Sequence, residues 1–375
     1  MNLLYILETF PNGCGVDTVT RILSDEFIGM NHNVSICCVK KSKGFAAYSE
    51  KIRIHYFPGK KLLSGENIIF LHGIIETENI NIMINQYSQD VNYSILCDNA
   101  RKSTDARLIN CHHLALLLNS QVHGRFLFRF LPDFMVNKLK QMRQLRMRNR
   151  AYSIADLTVF LSQRIVEQYK RLEPEKKLDK LRFIHNPLQQ TNYSAETKEN
   201  MLLFVGRINE MEKRLSLIIR IWKEICEKYP DWKLTVVGDG PSLKSTEKMA
   251  ENVPRILFEG WKDPGPYYAK SKIFIMTSNS FEGLPVVILE AQQHLCVPIV
   301  MESFLTLGDV IDNEKNGIII PNNDVGIFIE KLTWLMDNEK LRNEFALNGA
   351  STCKKFDVKI IAKKWEELFF EVMNA

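Results

Sequence analysis

Short apolar runs rich in β-branched residues alternate along this chain with longer stretches of helical periodicity. Such alternation is typical of βαβ units, in which a helix connects two parallel strands of one sheet. We therefore predict an α/β fold with parallel sheets. A chain of 375 residues is too long for one ordinary hydrophobic core, so two domains are expected. Strands are predicted at residues 3–7, 34–39, 52–57, 80–84, 93–97, 107–110, 202–205, 234–237, 256–261 and 273–276, and a helix at residues 17–30. The periodicity of residues 66–76 fits either a helix or a strand, and a helix is preferred.

A polar segment follows residue 187 and marks the predicted boundary between the two domains. Residues 188–200 carry Gln, Thr, Asn and Ser side chains in place of the apolar runs on either side. Polar composition of this kind is typical of an interdomain linker. The predicted domains are residues 1–188 and residues 189–356, and residues 357–375 form a further helix.

The composition indicates an ordinary globular protein in a reducing compartment. Apolar residues make up 45% of the chain and charged residues 25%, so disorder is not indicated. The eight cysteines are dispersed, without a Cys-x-x-Cys pair or a Cys/His cluster of zinc spacing. Glu8 interrupts the first apolar run, so no signal peptide is predicted, and no run reaches the ~18 apolar residues of a membrane span. We therefore expect a cytoplasmic protein.

Residues 278–292 have the order of a strand end, a short turn and a helix start. Pro285 stands where a first helical residue is expected, because that position does not use the N–H that proline lacks. The backbone N–H groups of Gly283 and Leu284, with the positive end of the helix dipole, would then lie at the carboxyl edge of the sheet. An anionic ligand is expected to bind there.

Glu282 precedes this helix and Glu290 lies more than one turn inside it, with seven residues between them. Two carboxylates so placed can accept hydrogen bonds from hydroxyls at two points of one elongated ligand. The spacing and its Phe-Glu-Gly-Leu-Pro context resemble the acidic signature of retaining glycosyltransferases of family 4. The resemblance implies the GT-B fold, with two Rossmann-like domains facing across a cleft. It also implies that Glu282 contacts the donor sugar and that Glu290 contacts the nucleotide ribose.

Other matches to this family extend over nearly the whole chain. Residues 151–162 and 183–187 resemble its Ala-Asp strand and its strand ending in Asn-Pro. Arg207 and Lys213 match the cations that bind the donor diphosphate in the family. Arg214 stands where the family usually has glycine. The final helix resembles one that returns to the first domain.

The turn after the first strand is rich in glycine. A dinucleotide-binding turn would have a third glycine where Thr18 stands and an acidic residue after the second strand, where Lys40 and Lys41 stand. NAD-dependent chemistry is therefore disfavoured. The same turn resembles the Gly-Gly loop that faces the donor phosphates in the family, and Gly15 is the position that corresponds to it.

Two histidines, His112 and His113, follow the strand predicted at residues 107–110. Members of the family often have a histidine after this strand that contacts the donor sugar or lies near the acceptor. His113 matches best by spacing, and His112 comes next. A histidine that only caps the strand is the alternative.

The resemblance implies a nucleotide-sugar donor, with UDP preferred, and a glycan or lipid-linked acceptor in surface-polysaccharide biosynthesis. The sugar would move with retention of configuration by same-face substitution, with no protein nucleophile and no cofactor besides the nucleotide-sugar itself. The chain has no Asp-x-Asp motif, and two cations already match the diphosphate positions, so we expect no metal. A GT-B nucleotide-sugar epimerase and a non-catalytic sugar-nucleotide-binding subunit remain as alternatives.

Residues 121–150 concentrate positive charge. Eight basic residues accompany one acidic residue, a local net charge of +7 in a chain of +5. Apolar side chains between residues 126 and 135 precede the basic run, as in segments that bind an anionic membrane surface. A nucleic-acid partner is disfavoured because no recognition module accompanies the charge, and a solvated helix packed on the first domain is the alternative. The basic positions of this predicted membrane and acceptor patch are Lys138, Lys140, Arg143 and Arg146.

Overall fold

The computed structural model describes residues 1–11, 15–41, 48–114, 133–191, 197–279 and 282–375. The chain divides into two compact units. Unit 1 comprises Met1–Pro187 together with Val358–Ala375, and unit 2 comprises Leu188–Asp357.

Unit 1 contains a seven-stranded sheet in which all neighbouring strands are parallel. Its strands are β1 (Asn2–Phe10), β2 (Asn33–Lys41), β3 (Arg53–Tyr56), β4 (Ile82–Asn85), β5 (Arg107–His112), β6 (Leu157–Phe160) and β7 (Leu181–Phe183). The helices between them are α1 (Gly15–Gly29), α2 (Gly65–Thr77), α3 (Val91–Ala100), α4 (Asp133–Ile154) and α5 (Gln163–Leu172). The strand order is β3-β2-β1-β4-β5-β6-β7.

Unit 2 contains a six-stranded parallel sheet with the order β10-β9-β8-β11-β12-β13. Its strands are β8 (Glu199–Val205), β9 (Lys233–Val237), β10 (Ile256–Gly260), β11 (Ser271–Met276), β12 (Val297–Glu302) and β13 (Ile318–Pro321). Its helices are α6 (Glu210–Lys213), α7 (Leu215–Ile225), α8 (Leu243–Ala250), α9 (Gly265–Lys270), α10 (Val286–Gln293), α11 (Leu307–Val310), α12 (Val325–Asp337) and α13 (Glu339–Cys353). The chain then returns to unit 1 with α14 (Val358–Met373).

The central strands are apolar nearly throughout because helices cover both faces of each sheet. In β1, every side chain from Leu3 to Leu7 is at most 1% exposed. Parallel strands buried on both faces read as continuous apolar runs instead of alternating ones. Full burial of one such aliphatic side chain stabilises the fold by roughly 1.5–3 kcal/mol, which explains why these runs locate most strands correctly.

The strand predicted at residues 93–97 is wrong, because these residues lie inside α3. Buried side chains of that helix, Tyr93, Cys97 and Ala100, recur every three or four residues. Asp90 is the N-cap, and its carboxylate accepts a hydrogen bond from a backbone N–H at 3.0 Å. The apolar run was too short to distinguish the two periods, whereas the cap before it and the alanine after it favour a helix.

The helix predicted at residues 66–76 is confirmed as α2. Ser64 is its N-cap, and the hydroxyl accepts a hydrogen bond at 3.3 Å from the backbone N–H of Asn67. A hydroxyl at this position satisfies one of the four N–H groups that a helix start leaves unpaired. The cap therefore decides between helix and strand for an apolar run that fits both.

The last helix, α14, packs on unit 1 through both apolar and charged side chains. The ring of Phe369 lies edge-on to that of Phe27, with 5.3 Å between centroids. Oε1 of Glu366 lies 3.1 Å from Nε2 of His32. Burial of this aromatic pair helps to hold α14 on the unit in which the chain starts.

Candidate active site

In unit 2 the strand order reverses between β8 and β11. From these central strands the sheet continues as β9-β10 on one side and as β12-β13 on the other. The connections after β8 and β11 therefore leave the sheet in opposite directions, and a crevice opens at the carboxyl ends of the two strands. Open α/β sheets bind their ligands in such a crevice, so the residues that follow Val205 and Met276 form the candidate site.

An ion pair joins the two loops at this crevice. Nζ of Lys213, the last residue of α6, donates a hydrogen bond to Oε1 of Glu282. The two side chains are only 16% and 17% exposed, so the pair is largely shielded from water. The sequence assigned each residue a role but not this direct contact. A cation and a carboxylate so paired can each exchange the other for a group of a ligand.

Arg214, the residue after Lys213, also connects the same two loops by hydrogen bonds. Its backbone has a left-handed φ of 50°, a region that costs a residue other than glycine roughly 1–2 kcal/mol. The guanidinium donates to the carbonyl oxygens of Thr277 at 2.5 Å and Ser278 at 3.1 Å, at the end of β11. It also donates to the side-chain oxygens of Asn322 and Asn323. These charge-assisted bonds offset the strain, and the left-handed backbone explains why glycine also suits this position.

Hydroxyl side chains that follow β12 hold the loop between β11 and α10. Oγ1 of Thr306 donates to the carbonyl oxygen of Gly283. The hydroxyl of Ser303 donates to the carbonyl oxygen of Ser278. These bonds fix the backbone on both sides of the segment that carries Glu282.

The helix α10 begins at Val286, one residue later than predicted. Pro285 is its N-cap, with φ −72° and ψ 110°, instead of its first helical residue. Gly283, Leu284 and Pro285 are all buried. The backbone of Gly283 and Leu284 thus leads directly into the amino end of the helix, where the helix dipole favours negative charge.

Glu290 lies on the second turn of α10 and has a different kind of partner from Glu282. Its Oε2 accepts a hydrogen bond at 3.0 Å from the phenolic hydroxyl of Tyr268, in α9. Burial raises the pKa of the Glu290 carboxyl, whereas the hydrogen bond from Tyr268 lowers it. One carboxylate of the site is therefore paired with a cation and the other with a neutral hydroxyl.

Two glycine turns bring the loops after β8 and β9 into backbone contact. The N–H of Gly206 donates to the carbonyl oxygen of Val237 at 3.1 Å. Gly238 has a φ of 147°, and a Cβ there would lie 1.9 Å from the carbonyl oxygen of Gly206. Only glycine fits so close an approach. This contact fixes the backbone from which the exposed side chain of Arg207 extends.

In unit 1 the strand order reverses between β1 and β4. Gly15 begins α1 shortly after β1, and residues 12–14 of the predicted glycine turn lie outside the described residues. Gln86 follows β4, and its backbone N–H donates to the carbonyl oxygen of Ile6 at 3.1 Å. Nε2 of His113 is hydrogen-bonded to Oε1 of Gln86. The reversal point of this sheet therefore brings His113 and Gln86 together.

The two adjacent histidines have different surroundings. His112 ends β5, and its ring stacks on that of Phe160, with 4.9 Å between centroids and 12° between planes. Burial, with the nearby charge of Arg148, holds the pKa of His112 well below its usual range. Burial lowers the pKa of His113 to about 4. Both rings are neutral near pH 7, and because Nε2 of His113 donates to Gln86, its Nδ1 is an acceptor.

The predicted basic patch lies on α4, whose side chains are described from residue 135 onward. Residues 121–132, which include most of the predicted apolar anchors, lie outside the described residues. Lys138, Arg143 and Arg146 are exposed, and Lys140 is partly exposed. None of the helices in the described ranges is long and apolar enough to span a bilayer. Three apolar side chains of α4 are also exposed, by 40–45%: Met135, Leu139 and Met142.

Ser303, Thr306 and Tyr268 hold parts of the site in unit 2 but were not among the predicted site residues. Ser303 and Thr306 follow the carboxyl end of β12, the neighbour of β11, so a hydroxyl-rich segment after a predicted strand was an available signal. Tyr268 had no comparable signal, because its bond to Glu290 depends on how α9 and α10 pack. Within the described residues, no group of three or more His, Cys, Asp or Glu side chains could hold a metal ion.

Residues 187–352 match the family model described as Glycosyl transferases group 1. Over 371 residues the chain is 23% identical to the amylovoran biosynthesis glycosyltransferase AmsD of Erwinia amylovora, with 98% of this chain and 99% of that protein covered. Over 187 residues it is 27% identical to an N-acetyl-D-galactosaminyltransferase of Campylobacter jejuni whose name includes a PP-undecaprenol glycan, covering 48% of this chain and 51% of that protein.

Among solved structures, that of HepE from Anabaena in complex with UDP has a TM-score of 0.75 to this chain at 13% identity. The alignment covers 99% of this chain and 100% of that one. The fold prediction is confirmed: the two parallel sheets form the two Rossmann-like domains of the GT-B fold.

Proposed function

We propose that this chain transfers a sugar from a nucleotide-sugar to a glycan or lipid-linked acceptor, because its residues 187–352 match the family model of glycosyl transferases group 1. The preferred donor is a UDP-sugar, and the product retains the anomeric configuration of the donor. UDP is bound in the structure of HepE, and AmsD is named for the biosynthesis of a polysaccharide. We extend both properties to this chain, which would work in surface-polysaccharide biosynthesis.

The ion pair between Lys213 and Glu282 at the carboxyl ends of β8 and β11 carries this proposal. A donor with a sugar next to a diphosphate offers a partner to each member of the pair. In our proposal Lys213 and Arg207 donate hydrogen bonds to the diphosphate, and Glu282 accepts a hydrogen bond from a hydroxyl of the sugar. Glu290, on the next turn of the helix, accepts a hydrogen bond from the ribose.

The proposed transfer needs no protein nucleophile. The bond between the anomeric carbon and the diphosphate oxygen breaks, and the acceptor oxygen forms its bond to the same face of that carbon. The acceptor proton passes to the departing diphosphate. Catalysis then depends on positioning and on stabilising the charge that develops on the leaving group. Lys213, Arg207 and the amino end of α10, with Gly283 and Leu284, supply that stabilisation.

We propose that unit 1 supplies the acceptor side. His113 is the preferred candidate for contact with the sugar or the acceptor, because its neutral ring is oriented by Gln86 and Nδ1 can accept a hydroxyl proton. His112 remains the second candidate, although its ring stacks on Phe160. Gly15 begins a helix of 15 residues, and we assign it a place near the donor phosphates.

A screen of nucleotide-sugars tests this function. A UDP-sugar at 100 times its dissociation constant adds roughly 2.7 kcal/mol to the free energy of unfolding, which raises the melting temperature by several degrees. Free UDP should then be released only when an acceptor is present, which separates a transferase from an epimerase or a binding subunit. Because Lys213 and Arg207 already neutralise the diphosphate, release should persist in EDTA.

Two results would contradict the proposal. If no nucleotide-sugar raises the melting temperature, the proposed donor site is wrong. Complete loss of turnover in EDTA, restored by magnesium or manganese, would show that the leaving group needs a metal ion. If turnover persists in EDTA at a reduced rate, the assignment of Lys213 and Arg207 to the diphosphate stands.

We further propose that α4 binds an anionic membrane surface and brings the enzyme to a lipid-linked acceptor at the cytoplasmic face. At 3.6 residues per turn, the exposed apolar and basic side chains of α4 fall within an arc of about 140°. A helix that binds such a surface needs two features. Its apolar side chains enter the membrane interface, and its basic side chains contact the lipid headgroups. The arc contains Met135, Leu139, Met142, Lys138, Arg143 and Arg146.

Flotation with liposomes tests the patch. Each basic residue near an anionic leaflet contributes about 1 kcal/mol, so the pair Lys138→Glu/Arg146→Glu should weaken binding at least about thirtyfold. Binding of the wild type should also fall at high salt. The matched control is Lys363→Glu/Lys364→Glu, which reverses two exposed charges of α14 and should leave flotation unchanged. Equal recovery with neutral and anionic vesicles would refute the electrostatic part of the proposal.

A further inference from the structure

Tyr268 is a buried side chain that touches the site without belonging to either of its two loops. It lies in α9, is 1% exposed, and donates its hydroxyl to Oε2 of Glu290 at 3.0 Å. A buried tyrosine hydroxyl needs a hydrogen-bond partner, and here that partner is the carboxylate assigned to the ribose. The contact therefore constrains the carboxylate as well as the tyrosine.

The ring of Tyr268 is itself held between two aromatic side chains. His294 stacks on it with 5.8 Å between centroids and 13° between planes, and Phe274 lies at 6.1 Å on an inclined plane. Nδ1 of His294 lies 2.7 Å from the carbonyl oxygen of Glu290, and Nε2 lies 2.9 Å from Oγ1 of Thr191. A carbonyl oxygen can only accept, so Nδ1 carries the proton and Nε2 accepts from the threonine hydroxyl. The imidazole is thus fixed in one tautomer and supports the tyrosine ring.

We propose that Tyr268 is a positioning residue of the donor site, which holds Oε2 of Glu290 so that Oε1 is presented to the hydroxyls of the nucleotide ribose. This inference rests on the function proposed above, in which Glu290 binds the ribose. It adds a residue from outside the acidic signature and gives the two carboxylate oxygens different tasks.

Two physical effects make this hydrogen bond matter to ligand affinity. The terminal torsion of a glutamate side chain is broad and nearly two-fold, so a carboxylate without a fixed partner samples several orientations. The bond from Tyr268 selects one of them before the ligand arrives, which lowers the entropy that binding must remove. It also favours the ionised carboxylate, which accepts hydrogen bonds more strongly than the neutral acid.

The second effect predicts a pH dependence with a definite sign. Burial raises the pKa of Glu290, the bond from Tyr268 lowers it, and the charge of Asp263 raises it. His294 also faces this group, and burial lowers the pKa of its imidazole. Removing the tyrosine hydroxyl leaves burial and Asp263 unopposed, so the pKa of Glu290 rises further. Affinity that needs the ionised carboxylate is then lost at a higher pH than in the wild type.

Tyr268→Phe tests the inference, because it keeps the stacked ring and removes only the hydroxyl. We expect UDP, titrated by calorimetry at neutral pH, to bind roughly tenfold more weakly, the loss typical of a hydrogen bond to a charged group. The acid limb of UDP affinity should move upward in pH. Circular dichroism and the melting curve establish that the variant is folded.

Tyr267→Phe is the matched control. Tyr267 is the neighbouring residue and its hydroxyl also donates to a carboxylate, Oε2 of Glu259, at 2.9 Å. This variant removes the same kind of bond from the same helix, and it should bind UDP within twofold of the wild type with an unmoved acid limb. A comparable loss in both variants would show a general effect of hydroxyl removal and would overturn the inference.

Glu290→Gln separates the inference from the function on which it rests. If Glu290→Gln weakens UDP binding and Tyr268→Phe adds less than twofold to that loss, the tyrosine acts through the carboxylate. If Glu290→Gln weakens binding but Tyr268→Phe alone matches the wild type at every pH, the inference is wrong and the ribose assignment stands. If neither variant changes UDP affinity, the ribose assignment itself is wrong and the inference falls with it.

Discussion

Glu282→Gln is expected to lower turnover about a hundredfold while UDP binds as tightly as to the wild type or more tightly. The carboxylate is assigned to a hydroxyl of the transferred sugar, and misplacement of a reacting group commonly costs ~10²-fold in rate. UDP lacks that sugar, so its affinity does not depend on the contact. In the wild type the carboxylate of Glu282 is also paired with Lys213. A neutral glutamine would leave the ammonium group of Lys213 available to the diphosphate. Turnover should therefore fall without any loss of UDP affinity.

Steady-state kinetics with a UDP-sugar and calorimetry with UDP make the comparison. Glu259→Gln is a suitable control, because Glu259 is also paired with a lysine, Lys262, at 2.6 Å, but lies on β10, an outer strand that β9 separates from β8. It should leave turnover within twofold. Unchanged turnover in Glu282→Gln would show that the carboxylate has no contact with the moving sugar, and a parallel loss of UDP affinity would place it on the nucleotide instead.

The fold class could be predicted from the sequence because buried strands appear in it as continuous apolar runs. Runs such as Leu3 to Leu7 are apolar on both faces, and a parallel sheet covered by helices on both sides buries such runs completely. The same criterion failed at residues 93–97, since a run of that length fits either period. Asp90, the N-cap that settles the matter, lies outside the run. The local pattern therefore identified most strands, and the error occurred where a capping side chain decides.

The site was predictable residue by residue but not contact by contact. Lys213 and Glu282 are 69 positions apart, and their meeting depends on β8 and β11 being neighbours. A pattern of strands and helices leaves the strand order open. The contacts of Arg214 could not be predicted either, because its left-handed backbone is stabilised by bonds from its guanidinium to carbonyl oxygens more than 60 residues away. Tyr268 acts on Glu290 through helix packing, which no short motif records.

Lys213→Ala is expected to have the largest effect, a loss of turnover of about 10²–10³-fold. Removing one donor aimed at a developing charge typically costs that much, and here the charge develops on the departing diphosphate. Unlike Glu282→Gln, this variant should also weaken UDP binding, because the diphosphate keeps only Arg207 of the two assigned cations. The partly buried carboxylate of Glu282 then lacks its cation and adds repulsion towards the phosphates.

The double variant Lys213→Ala/Glu282→Gln distinguishes direct phosphate binding from support of the glutamate. If Lys213 acted only by orienting Glu282, the double variant would be no worse than Glu282→Gln alone, and UDP would bind it as it binds the wild type. If the lysine binds the diphosphate, UDP affinity stays low in the double variant, although removal of the repelling carboxylate restores part of it. Lys213→Arg keeps the charge with a different reach and should retain more turnover than Lys213→Ala. Lys262→Ala, which breaks the partly exposed pair with Glu259, should leave both turnover and UDP affinity within twofold. Strong UDP binding by Lys213→Ala would show that Arg207 and the amino end of α10 hold the diphosphate without it.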